Sequence, residues 1–195
     1  MSARKPASRL KLRLARMVGP FARIREDEDG NATVEFVILF PVFIVVFCST
    51  FELGLLMTRH VMLERGLDFA VRAIRLGTNN PGPVTAEQVR TMICNSAGII
   101  PDCMNQVKVE MQQIDPRAWT NIPARADCVD RNQPATPDRG VSDNFATGGS
   151  HEMMILRVCA LINPFFPTTG LGATLKTHHG EAYALVATSA FVMEP

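Results

Sequence analysis

The sequence predicts an α+β protein: one long N-terminal transmembrane helix that continues beyond the membrane, followed by a small antiparallel sheet packed on helices. Three observations predict it. Residues 36–51 hold no charged side chain. An apolar stripe of helical period follows, and three runs farther along the chain read as strands. Short connections and a single sheet covered by helices define the α+β class.

The apolar run decides the broad class. Val34 to Met57 spans 24 residues, with Glu35 and Glu52 near its ends. As a helix it is about 36 Å long, against a hydrocarbon core of about 30 Å. Net charge is +1 over 195 residues, but it is unevenly spread. Residues 1–30 carry eight basic and four acidic side chains; the remainder carries 12 basic and 15 acidic. A basic end before an apolar run orients the chain with its N-terminus in the cytoplasm and everything after Met57 across the inner membrane, in the periplasm. The basic arm is not followed by a nucleic-acid reading element, so DNA is not an expected partner. No A-x-A site follows the run, which argues against a secretory signal peptide. Cys48, preceded by bulky Phe47, reads as a thiol packed in the helix.

The expected organisation is a basic leader at 1–30, a membrane helix at 31–57, a helical extension at 58–77 and a periplasmic α+β domain at 78–195. Leu63, Leu67, Ala70 and Ile74 form one stripe. Asp68 and Arg72 are an i,i+4 pair on another face. Gly77 and the run "NNPGP" stop the helix. From Glu35 it would run about 63 Å, with a kink at Pro41. "TAEQ" starts a second helix with Thr85 as N-cap and Gln88 completing a capping box, and Gly98 ends it. Gln106–Ile114 alternates like a strand, Met153–Ile162 reads as a central strand, and Ala182–Val192 as the last. "NPFFP" breaks the chain between the last two. Residues 115–150 are rich in Pro, Asn, Asp and Gly and read as a surface excursion tied down by Cys128 and Trp119.

Cys94, Cys103, Cys128 and Cys159 lie on the outer side, an even count suited to an oxidising compartment. Three pairings are open. Cys94–Cys103 with Cys128–Cys159 is favoured because each closes a local loop, stabilising by about 2.5 and about 3.5 kcal/mol on the chain-entropy model. Zinc is the competing use, but no C-x2–4-C pair is present. No catalytic residue, metal site or cofactor is expected. "HHGE" at His178–Glu181 lacks the H-E-x-x-H spacing and reads as a polar turn. "GGSH" at Gly148–His151 is not a nucleophile elbow. A membrane-anchored hydrolase would need a polar cleft that the sequence does not display.

Gly30 precedes Glu35 by five positions, so a cut after Gly30 would leave Asn31 first and Glu35 fifth. Gly30, then Glu35-Phe36 at the helix start, then Pro41, then Glu52 and Gly54 at the far end resemble a TadE-like pseudopilin of tight-adherence pili. Ala70, Ala73, Arg75 and Gly77 partly match the tail that follows in that family. In one departure, Glu26–Asp29 precede Gly30 directly, with Arg23 and Arg25 farther back.

The resemblance covers about residues 26–77. It implies processing by a prepilin peptidase at Gly30 and Asn31, assembly contacts at Glu35 and Phe36, and no enzymatic activity. The implied partners are other pilins or pseudopilins, the pilus assembly platform and inner-membrane lipid. A freed α-amine is cationic near neutral pH, and a neighbour's Glu35 could pair with it in low dielectric and fix register. The alternative is an uncleaved single-pass periplasmic scaffold of the same machinery, with Gly30 incidental.

Overall fold

The computed structural model describes residues 31–77, 83–117, 122–134, 136–175 and 181–194. The basic leader, Gly30, Trp119, His178, His179 and most of "NNPGP" lie outside the described residues. The chain divides into two compact units, residues 1–45 and 46–195. In the first, the described residues are helical and their apolar side chains are exposed, among them Val34, Phe36, Val37, Ile38 and Leu39. Phe36 and Phe40, one turn apart, stack at 4.8 Å. This stretch opens helix α1, Asn31–Arg75, which runs on through Pro41 and is long and apolar enough to cross a membrane.

The second unit holds the rest of α1 and the α+β domain. Along α1, Leu63, Leu67, Ala70 and Ile74 are all buried, so the stripe of helical period is the core-facing side. Gly77, at φ +60°, follows the helix end and donates its N–H back to Ile74 O at 3.2 Å. Only glycine enters that left-handed conformation without steric cost. Helix α2, Ala86–Ser96, carries the capping box: Gln88 N donates to Thr85 Oγ1 at 3.3 Å, and Thr85 N donates to Gln88 Oε1 at 3.0 Å. It presents Val89 and Ile93 to the same core. It also lies so near α1 that a Cβ on Gly66 would meet Ile93 O at 2.8 Å.

A short helix α3, Cys103–Gln106, leads into the sheet. Its strands are β1 (Val107–Gln113), β2 (Val141–Phe145), β3 (Met153–Ile162) and β4 (Tyr183–Val192), in the order β2-β1-β3-β4. β1, β3 and β4 pair antiparallel, as the sequence predicts. β2 joins β1 in parallel at the edge, so the sheet is mixed. That strand comes from the segment read as a surface loop.

Residues 122–134 of the same segment cover the back of the sheet. β3 is central and buried on both faces. Met154, Leu156, Val158, Ala160 and Ile162 meet the helices, while Cys159 and Leu161 pack under Val129, Ala126 and Cys128. Disulfides join Cys94 to Cys103 and Cys128 to Cys159. The first ties α2 to α3, and the second rivets the covering loop to the central strand.

Polar bonds hold the same loop. Glu110 and Arg157 stand opposite one another on β1 and β3 and form a buried ion pair at 2.6 Å. Arg157 also donates to Pro123 O at 2.7 Å, and Glu110 Oε2 accepts from Asp127 N at 3.4 Å. Asp127 pairs with Lys108 and accepts from Ser142 Oγ. Arg131 donates to Gln106, Asn163 and Leu161 O. Burial lowers the Arg131 pKa, against the raising effect of Glu181, and Arg139 lowers it further.

A buried charge that loses its partner is costly, while a pair replaced by apolar groups of similar size need not be. Arg157→Leu should therefore destabilise the domain by about 3–5 kcal/mol. The double variant Glu110→Leu, Arg157→Leu should recover part of that loss. Urea unfolding of the two variants beside the wild type measures both.

Candidate functional site

Within residues 46–195, two polar side chains of α1, Ser49 and Glu52, meet at one place: the connection between β3 and β4. β3 stops at Ile162 because Pro164 and Pro167 donate no backbone hydrogen bond and restrict their neighbours. The intervening amides of Phe165 and Phe166 have no ladder to join. They donate instead to one oxygen of Glu52, at 2.8 and 2.9 Å. Glu52 has no solvent exposure at all, so the carboxylate is sealed beneath the loop. Two adjacent N–H groups aimed at one anion form a small concave anion site. Hydrogen bonds to a charged acceptor contribute about 1.5–3 kcal/mol each in such settings.

Further contacts fix the same joint. Leu171 N donates to Ser49 Oγ at 3.2 Å, one turn before Glu52. Leu171 lies in α4, Gly170–Thr174. Gly172 comes so near the loop that a Cβ there would stand 2.2 Å from Phe166 O, which no other residue could accept. Phe51 meets Phe165 and Phe166 edge-on at 5.9 and 6.0 Å, and these two rings meet each other at 5.0 Å. Such edge-to-face geometry suits the ring quadrupoles.

Two turns after Glu52, Arg59 lies on the same helix face and is also buried. Its Nη1 donates to the Tyr183 hydroxyl at 3.1 Å. His60 Nε2 donates to Val186 O at 3.2 Å, and its Nδ1 stands 3.5 Å from Glu64. Burial pushes the Tyr183 pKa up; Arg59 opposes this by hydrogen bond and by charge, and the Glu52 charge adds to it. The result is a mechanical joint: one helix face carries an anion, a hydroxyl and a cation, and each holds one point of the β3–β4 connection or of β4. Among the described residues, no group of three or more His, Cys, Asp or Glu side chains is placed to hold a metal.

The residues singled out from sequence fall elsewhere. Glu35 and Phe36 are exposed on α1, Asn31 is its first residue, and Gly30 is outside the described residues. Cys94, Cys103, Cys128 and Cys159 lie in two disulfides apart from the joint. Glu52 was legible only as an acid closing an apolar run, and its partners are backbone amides that leave no mark in a sequence. Arg59 and Tyr183 carried no signal.

Glu52→Ala should cost about 3 kcal/mol, the loss of two charge-assisted bonds to buried donors. Amide hydrogen exchange reads it locally: the Phe165 and Phe166 amides should lose protection in the variant while those of β1 keep theirs.

Tyr183 is the chain's single tyrosine, so its ultraviolet titration is unambiguous. Its midpoint should lie above the ordinary value near about 10, and Arg59→Ala should move it higher still. Because the folded phenol keeps its proton where an unfolded one loses it, its contribution to stability is whole below about pH 10 and falls as pH rises through the folded value.

No curated protein and no solved structure matches the chain. Residues 30–72, which contain Glu35, Phe36, Pro41, Glu52, Gly54 and Arg59, match the family model of the TadE-like protein.

Proposed function

We propose that the chain is a membrane-anchored minor pilin-like subunit of a tight-adherence pilus or a related secretion machinery. A prepilin peptidase cuts it between Gly30 and Asn31, and it acts in pilus assembly through helix and domain contacts. The observation that carries this reading is a coincidence at one place. Gly30, Glu35-Phe36 and Pro41 stand at the start of an apolar helix whose side chains are exposed, inside the segment that matches the TadE-like model.

In this reading residues 1–30 are a cytoplasmic leader, 31–57 cross the inner membrane, 58–77 extend the helix, and 78–195 form the periplasmic domain. The basic leader supports that orientation. Two disulfides in the outer domain support an oxidising compartment. Other pilins, the assembly platform, the peptidase and inner-membrane lipid are the partners. Glu35 serves assembly: exposed at the edge of a charge-free run, it is available to a neighbour's new α-amine. The acidic run Glu26–Asp29 directly before Gly30 favours the second reading, an uncleaved scaffold of the same machinery.

N-terminal sequencing of membrane-extracted protein should start at Asn31, and Gly30→Leu should block the cut. A start upstream of Gly30 in cells with active peptidase selects the scaffold. Glu35→Ala should leave the protein abundant and membrane-bound, because removing an acid eases insertion by up to about 3 kcal/mol at mid-depth and less at the edge. It should abolish co-purification with other pilus components and reduce surface pili. Wild-type recovery of both would reduce Glu35 to an interfacial residue.

A further inference from the structure

We propose that the tip of the β3–β4 connection, centred on Phe165, inserts into the interfacial zone of the bilayer that α1 crosses, so that the folded domain rests on the lipid surface. The inference depends on the reading of α1 as a membrane helix.

Phe165 is 61% exposed, although its own N–H and that of Phe166 are held by Glu52. Phe47 and Phe51 on α1 are exposed too, and Phe51 touches the Phe165 ring. Leu53, Met57 and Val61 are exposed on α1 as well. A cluster of this kind marks an interaction surface rather than an ordinary face.

Charge identifies lipid as the occupant. Residues 163–175 hold no charged side chain. On α1 the acid that interrupts the apolar run, Glu52, is sealed under the loop, and Arg59 is buried against Tyr183. The first exposed charges after the run are therefore Glu64 and Arg65.

Length points the same way. A hydrocarbon core takes roughly 20 helical residues. The sixteen from Phe36 to Phe51 are too few, so the span must continue past Glu52. It can do so because Glu52 is buried beneath its own loop, with one oxygen accepting from the Phe165 and Phe166 amides.

The depth is bounded by the backbone. Irregular chain exposed to lipid does not occur within the hydrocarbon, because its amides would go unpaired. Glu52 and Ser49 satisfy the amides of Phe165, Phe166 and Leu171, while Pro167 and Thr168 remain exposed. Such a loop suits the headgroup and upper acyl region, where aromatic rings concentrate.

The test uses the full chain in vesicles of phosphatidylglycerol and phosphatidylethanolamine. Trp119, the single tryptophan, is first replaced by phenylalanine. Phe165→Trp then reports on the loop, Thr168→Trp supplies a second reporter should the first disturb folding, and Val42→Trp reports on the span. Lipids brominated near the ester end of the acyl chain should quench the loop reporters more than lipids brominated at the chain terminus. Val42→Trp should show the reverse order. Loop reporters unquenched by either lipid while Val42→Trp is quenched overturn the proposal and leave the span intact. No quenching at any position overturns both. A blue-shifted loop reporter that bromine does not quench and that responds to protein concentration assigns the surface to a second copy instead.

Discussion

A carboxylate inside an apolar helix has few places to go, and the fold is arranged around the place Glu52 has found. Left in hydrocarbon, it would be costly; left in water, it would pull its turn of α1 away from the lipid. The structure gives it the amides of Phe165 and Phe166, more than a hundred residues away in sequence, at 2.8 and 2.9 Å. The bond serves both partners. A loop with two prolines has donors that no strand can take, and an acid in an apolar helix has an acceptor that no solvent reaches. Because the joint also contains Ser49 and Arg59, it fixes about three turns of α1 against the β3–β4 connection and β4.

The sheet is built on the opposite principle, with burial on both faces of one strand. β3 has seven consecutive buried residues at its C-terminal end, which a sheet open to water on one side would not need. Helices supply one cover and the loop through Cys128 supplies the other. Among the described residues of that second cover, Val129 is the well-buried apolar side chain besides alanine and the disulfide. Directional bonds compensate. Glu110, Arg157, Asp127 and Arg131 tie the loop at separate points, and Cys128–Cys159 makes one attachment covalent. A cover held this way depends on its polar partners more than on area.

What could be read from the sequence divides along the same line. The stripe Leu63, Leu67, Ala70, Ile74 was legible because burial by a helix leaves a period. The capping box at Thr85 was legible because it needs two named side chains three apart. β3 was legible as an apolar run, and the structure starts and ends it at Met153 and Ile162. β2 was not: "VSDNF" is short, polar and at an edge, and its parallel partner lies across a long connection. That Cys128 ties residues 122–134 down was legible, but not that they cover the sheet, since the loop also holds on by backbone carbonyls and amides. Glu52 is the sharpest case. Its place at the end of the apolar run is plain in the sequence, but an interaction with main-chain N–H groups has no counterpart letter there.

Two acids flank one apolar run, and their placements separate two roles that composition alone cannot. Glu35 is exposed at the N-terminal end of α1. Glu52 is sealed, with one oxygen committed to its own loop. A carboxylate already engaged cannot recruit a partner without unmaking the fold, so Glu52 cannot supply a contact between subunits. A carboxylate held outward on a helix imposes no such conflict, and the desolvation it would suffer in an assembly is offset only if a cation meets it there. The same residue type is thus sealed in the domain at one end of the run and exposed at the other. The distinction arises from the loop "NPFFP", which exists on one side only.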